Sequence, residues 1–178
     1  MDRIMTRVNA KPEDRTVAIH ANRALEESSK RPKIMQKEMH TGAAIEIQPK
    51  EKAPIILTGK RSRILNSESA ALLNAVKYIA GIPDEIDVLS PIIIESIIKL
   101  KGQMSVVDTS LDVKEVLDAL AVSAVFNPNA AECVNVLPEL DGCEMHSTHL
   151  TGRGCEKALK ELGLILTTDA RIPMVNNW

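Results

Sequence analysis

Residues 54–80, PIILTGKRSRILNSESAALLNAVKYIA, constrain this chain more than any other stretch. The apolar run PIILTG gives way to a polar loop, and Ser67 then stands where a helix N-cap is favoured. Behind it, Ala70, Leu72, Leu73, Val76 and Ile79 recur at helical spacing and form one apolar face, and Gly81 supplies the stop. A strand, a loop and an amphipathic helix in immediate succession need a sheet to join and a core that buries the helix face. That combination points to an α/β fold.

The flanking pattern agrees. AAIEI at 43–47, a polar turn at 48–53 and PIILTG read as a hairpin. An apolar run at 86–89 reads as a further strand, and Ser90 with Pro91 opens a helix through PIIIESIIKLKG. Asp112 and Glu115 have capping-box spacing, with Leu111 and Val116 as a hydrophobic staple, so a helix is expected over 113–126. Asn127 and Pro128 start another that runs to Pro138. CEMHSTHL at 143–150 reads as a strand, 154–162 as a helix closed by Gly163, and LILTT as a last strand. Strands separated by helices imply a mostly parallel or mixed sheet with helices packed on its faces.

This α/β domain is expected over residues 42–178. Residues 1–41 read as a helical appendage and linker, with Val17, Ala21, Ala24 and Leu25 on one side of a helix over 12–29. The stretch 28–41, which contains Pro32, reads as the linker or as a short segment docked on a partner.

Composition removes several classes of function. Tyr78, Phe126 and Trp178 are the only aromatic residues, so the core is aliphatic and there are no platforms for base stacking. A net charge of -2 also removes the electrostatic drive towards nucleic acid, which is not expected as a partner. No apolar run reaches the roughly 20 residues that a bilayer requires, and the first residues contain no apolar run, so neither a membrane span nor a signal peptide is expected. Cys133, Cys143 and Cys155 are odd in number and contain no CxxC pair, which suits reduced thiols and a cytoplasmic location.

Two places could carry chemistry. The turn Thr58-Gly59-Lys60-Arg61-Ser62-Arg63 lies between a strand and a helix, where backbone N–H groups and basic side chains can hold an anion. It is not a Walker loop, because Pro54 and Arg61 occupy positions that the motif reserves for Gly and Ser or Thr. Thr58, Lys60, Ser62 and Arg63 remain anion-binding candidates, against the plainer reading of a solvated basic loop. Cys143, His146 and His149 form C-x2-H-x2-H, but on an extended segment Cys143 and His149 share one face and His146 takes the other. No metal site is therefore expected. His146 and His149 are candidates for proton transfer, and Thr148, Thr151 and Arg153 gather at the carboxyl end of the same strand, where a parallel sheet binds its ligands. The plainer reading is a tight turn. Glu95 and Asp118 lie on otherwise apolar helices and are expected to face solvent. No cofactor is assigned.

Several segments in order, LTGKRSRILNSESAALLNAVKYIAGIPDEIDVLSPIIIESI, LDVKEVLDALAVSAVFNPNA, LPELDGCEMHSTHL and LGLILTTD, resemble the bacterial and archaeal domain-of-unknown-function 1846 family over about residues 43–172. Its members are longer, with an upstream region carrying a glycine-rich, phosphate-loop-like segment that has no counterpart here. The resemblance thus implies a C-terminal domain. Some relatives carry an ATP-dependent peptidase label, which no nucleophile, base and acid set readable in this sequence supports. Cys155-Glu156 stands where relatives have an acidic pair, and Asp118 where they have an apolar residue. The expectation is a binding or assembly module that packs against itself, as a homo-oligomer, or against the missing N-terminal half. The alternative is an enzyme on a small anionic ligand, with the basic turn binding and His146 or His149 moving a proton.

Overall fold

The computed structural model describes residues 15–30, 40–49, 53–104, 106 and 108–170; parts of the expected first helix and linker, at 12–14 and 31–39, lie outside them. Helix α1 (Thr16–Ser29) leads into strands β1 (Gly42–Ile47) and β2 (Ile55–Lys60) and helix α2 (Ser67–Ile79). Helices α3 (Pro91–Gln103), α4 (Val113–Ser123) and α5 (Pro128–Asn135) follow, then a 3-10 turn at Leu137–Leu140. Strand β3 (Glu144–Ser147), helix α6 (Arg153–Glu161) and strand β4 (Ile165–Thr168) close the order.

The four strands form one mixed sheet in the order β2-β1-β3-β4. β1 pairs antiparallel with both β2 and β3, and only β3 with β4 is parallel, joined by the crossover helix α6. Of the two sheet types expected, the mixed one forms, because the hairpin and the antiparallel β1–β3 pair outnumber the single crossover.

Residues 86–89 do not form a strand. Their backbone is tied instead to a helical turn: Asn127 Nδ2 donates to the carbonyls of Asp87 and Val88, and Ile86 N bonds back to Pro83 O. Val88 and Leu89 still enter the core, so the apolar run reflects burial without strand pairing.

Alternation along the strands gives the sheet two unlike faces. Ala44 and Ile56 meet Val17 and Ala21 of α1 on one. Ala43, Ile45, Ile47 and Met145 look the other way, into a core completed by Leu72 and Val76 of α2, Val116 and Leu120 of α4, and Leu159 of α6. Fully burying a side chain of this size contributes about 1.5–3 kcal/mol.

Two glycines allow the helices to approach this closely. A Cβ on Gly59 would lie 2.2 Å from both Ala71 N and Ser67 O of α2, and one on Gly42 would lie 2.4 Å from Ala21 O of α1. The helix starts are set locally. Asn66, one residue before the expected Ser67, caps α2 by accepting from Ser69 N, which leaves Ser67 Oγ to bond Thr41 Oγ1 at 2.8 Å. α4 has the expected capping box, and it ends at Ser123, three residues short of the expected Phe126.

Candidate functional site

Strand β3 carries a chemically distinct cluster on each face. On the α1 face, His146 lies in one cross-strand row with Ala44, Thr58 and Thr167. Its Nδ1 is 2.9 Å from Thr167 Oγ1, and its Nε2 is 3.3 Å from Asp169 Oδ1. Arg15, just ahead of α1, closes over the cluster: Nε and Nη2 donate to Glu144 Oε2 at 3.0 and 2.7 Å, and Nη1 donates to Thr167 Oγ1. Burial holds the His146 ring below the usual histidine pKa, with Arg15 acting in the same direction and the Asp169 carboxylate opposing it. The ring is anchored through Nδ1 to Thr167, with its Nε2 buried next to the Asp169 carboxylate.

The opposite face holds Glu68, Ser147 and His149. Glu68 sits in the first turn of α2, an ordinary place for an acid on a helix, yet its side chain is only 1% exposed. Ser147, the last residue of β3 and fully buried, donates its hydroxyl to Glu68 Oε1. His149 Nδ1 is 3.1 Å from Ser147 Oγ and 3.4 Å from Glu68 Oε1. Glu68 Oε2 is buried with no hydrogen-bond partner among the described residues. Cys155, on α6, is also buried; burial first, and the Glu68 carboxylate next, push its thiol up to about 12, so it stays protonated at neutral pH.

Cys143 belongs to the core on the α2 side, His149 engages α2 and His146 faces α1, while the strand itself covers only Glu144–Ser147 of the expected 143–150 and leaves His149 in the bend beyond it. Among the described residues no group of three or more His, Cys, Asp or Glu is arranged to hold a metal ion.

The basic turn is organised differently from a phosphate cradle. Thr58 and Lys60 lie within β2, where Thr58 O accepts from Asn74 and Lys60 Nζ pairs with Glu27 of α1. Ser62 Oγ accepts from the backbone N–H groups of Ile64 and Leu65, and Arg61 pairs with Asp108. Arg63 is exposed. Thr148 is also occupied structurally, its Oγ1 accepting from Gly42 N at 3.0 Å. Thr151 is half-buried, and Arg153 is exposed at the start of α6, whose N-cap Gly152 offers no side-chain bond. Lys60 thus faces α1 while His149 faces α2, so the structure does not bring these two together. Glu95 and Asp118 face solvent.

Sequence reasoning finds His149 but misses Glu68 and Ser147. The only trace of Glu68 is a charged residue between Ser67 and Ser69 at a helix start, and its burial against β3 depends on a contact 79 positions away. No described helix is long and apolar enough to cross a membrane.

Residues 13–177 match the family described as domain of unknown function DUF1846, C-terminal. Similar curated proteins include a UPF0371 protein of Fusobacterium nucleatum, 36% identical over 97% of this chain and 34% of that protein. Another, from Clostridioides difficile, is 36% identical over 99% of this chain and 34% of its own length. A third, from Clostridium tetani, is 37% identical over 96% and 33%. The chain spans about one-third of the length of these relatives.

Proposed function

The chain belongs to the DUF1846 family, matching its C-terminal domain, and we propose that it is an assembly module that docks against the region lying outside the match in its longer relatives. What supports this reading is an apolar cluster left uncovered at one end of the helical layer. Val125 is 84% exposed, Ile92 75%, Phe126 62% and Val122 52%. Isolated apolar residues on a surface are ordinary, but a gathered patch marks an interaction site.

Hydrogen bonds join the two segments that carry these residues. Ser90 N bonds Ser123 Oγ at 3.0 Å, joining the start of α3 to the end of α4, and Asn127 ties the next turn to Asp87 and Val88. The chain's one phenylalanine, Phe126, follows directly on the end of α4 with its backbone N–H bonded to Ser123 O, and an exposed aromatic among aliphatic residues is the usual anchor of an interface. α3 itself has no fully buried residue although its sequence, PIIIESIIKLKGQ, is strongly apolar. The occupant is the non-matching two-thirds of the relatives, which is the obvious source of a complementary surface for every member that carries this domain.

The test is to mix this chain with that region from the Clostridioides difficile relative, with the relative's own C-terminal third as reference, and weigh the products by light scattering. A one-to-one complex that Val125→Glu and Phe126→Glu abolish supports the assignment. No complex under conditions where the reference forms one overturns it, and self-association lost in the same variants would assign the patch to a second copy of the chain.

A further inference from the structure

The cluster at the end of β3 carries an inference that does not depend on docking. We propose that His149 Nε2 is the proton-accepting atom of a site for a small hydroxyl-bearing molecule or water, with Ser147 and Glu68 as its positioning residues.

The argument starts from donors. Ser147 has a single hydroxyl proton and gives it to Glu68 Oε1. Towards His149 Nδ1, 3.1 Å away, Ser147 Oγ can then act only as acceptor. The neutral ring is thereby fixed with its proton on Nδ1 and its lone pair on Nε2, the form a general base requires. Nε2 has no hydrogen-bond partner among the described residues, and the His149 side chain keeps 11% of its surface exposed next to the exposed residues Leu150 and Gly152.

Ser147 is excluded as a nucleophile because it is fully buried and its proton is already committed to a carboxylate. Cys155 is excluded because its thiol does not ionise near neutrality. The remaining acid-base atom is Nε2. When it takes a proton from an O–H donor, the O–H bond breaks, an N–H bond forms, and the oxygen keeps the electron pair as an activated nucleophile. The resulting imidazolium lies 3.4 Å from Glu68 Oε1, which offsets its charge.

A second observation is that Glu68 Oε2 is buried with no hydrogen-bond partner among the described residues, and an unsatisfied buried acceptor is destabilising. The carboxylate is thus retained beside the histidine with half of its hydrogen-bonding capacity unused by the fold.

The test uses the full chain with its histidines labelled with nitrogen-15. Long-range proton–nitrogen correlation at about pH 8, above the ordinary histidine range, should show the His149 proton on Nδ1 and a bare Nε2, the reverse of the tautomer favoured by a free ring. Diethyl pyrocarbonate, which attacks unprotonated ring nitrogens, should label His149 as mapped by peptide mass, with half-buried His20 as internal reference. Ser147→Ala should keep the fold by circular dichroism, shift the His149 signals towards a mixture of tautomers and lower its labelling rate severalfold. A proton found on Nε2 in the parent chain, or a His149 that stays unlabelled while His20 reacts, overturns the proposal. Unchanged tautomer and labelling in Ser147→Ala would remove Ser147 as a positioning residue.

Discussion

Ser147 on β3 donates its hydroxyl to the carboxylate of Glu68 on α2, joining two buried residues 79 positions apart in the chain. Each partner needs the other, because a hydroxyl or a carboxylate taken out of water with no partner is costly. Ser147→Ala leaves Glu68 Oε1 without its donor and should destabilise the fold by about 1–3 kcal/mol. The denaturant midpoint at neutral pH reads this directly, and an unchanged midpoint would mean that the bond contributes nothing.

The Thr-Gly-Lys word in β2 has a packing cause. A Cβ at Gly59 would sit 2.2 Å from backbone atoms of α2, which cannot move aside as a flexible side chain can. Gly59→Ala should force α2 off the sheet and lower stability by about 1–3 kcal/mol or more. Gly102→Ala, which meets nothing within 4 Å, should show no such loss and serves as the control in the same thermal melt.

Acid should weaken the fold through His146. Its folded-state pKa lies below its unfolded value because of burial, so the unfolded chain binds more protons in the interval between the two. The stability is therefore intact above about pH 6.5 and is lost as pH falls through that value towards the lowered folded pKa. His146→Asn should flatten the dependence of the denaturant midpoint between about pH 7 and about pH 5. Asp169, Glu144 and Arg15 line the same cluster.

The three cysteines should be poor nucleophiles in the folded chain. Burial raises the thiols of Cys133 and Cys143, and Cys155 is pushed up to about 12 by burial and then by the Glu68 carboxylate. Iodoacetamide at about pH 8 should alkylate them slowly in the native chain and rapidly in denaturant. Rapid native labelling of Cys155 would show that its surroundings are more open than this packing allows.

What could be read in advance follows the range of the interactions. The capping box of Asp112 and Glu115, the Asn127-Pro128 helix start and the stop at Gly163, with φ of 80°, are local and legible in the sequence. So is the opposite facing of His146 and Ser147, because strand alternation decides it, whereas His149 lies in the bend after β3. Residues 86–89 mislead, since an apolar run shows burial and says nothing of hydrogen-bond partners; here these come from Asn127. The strand order is set by β1 pairing on both edges, a long-range choice with no local mark. Glu68 is hidden for the same reason: its helix position is ordinary and its partners come from β3.

The claim that this domain docks through the junction of α3 and α4 is tested most directly by hydrogen exchange on the complex with the region outside the match. Peptides spanning residues 86–95 and 122–127 should exchange more slowly in the complex than in the free chain, while α1 is unchanged. Protection confined to other elements, or exchange at Ile92, Val125 and Phe126 identical in both states, would contradict it.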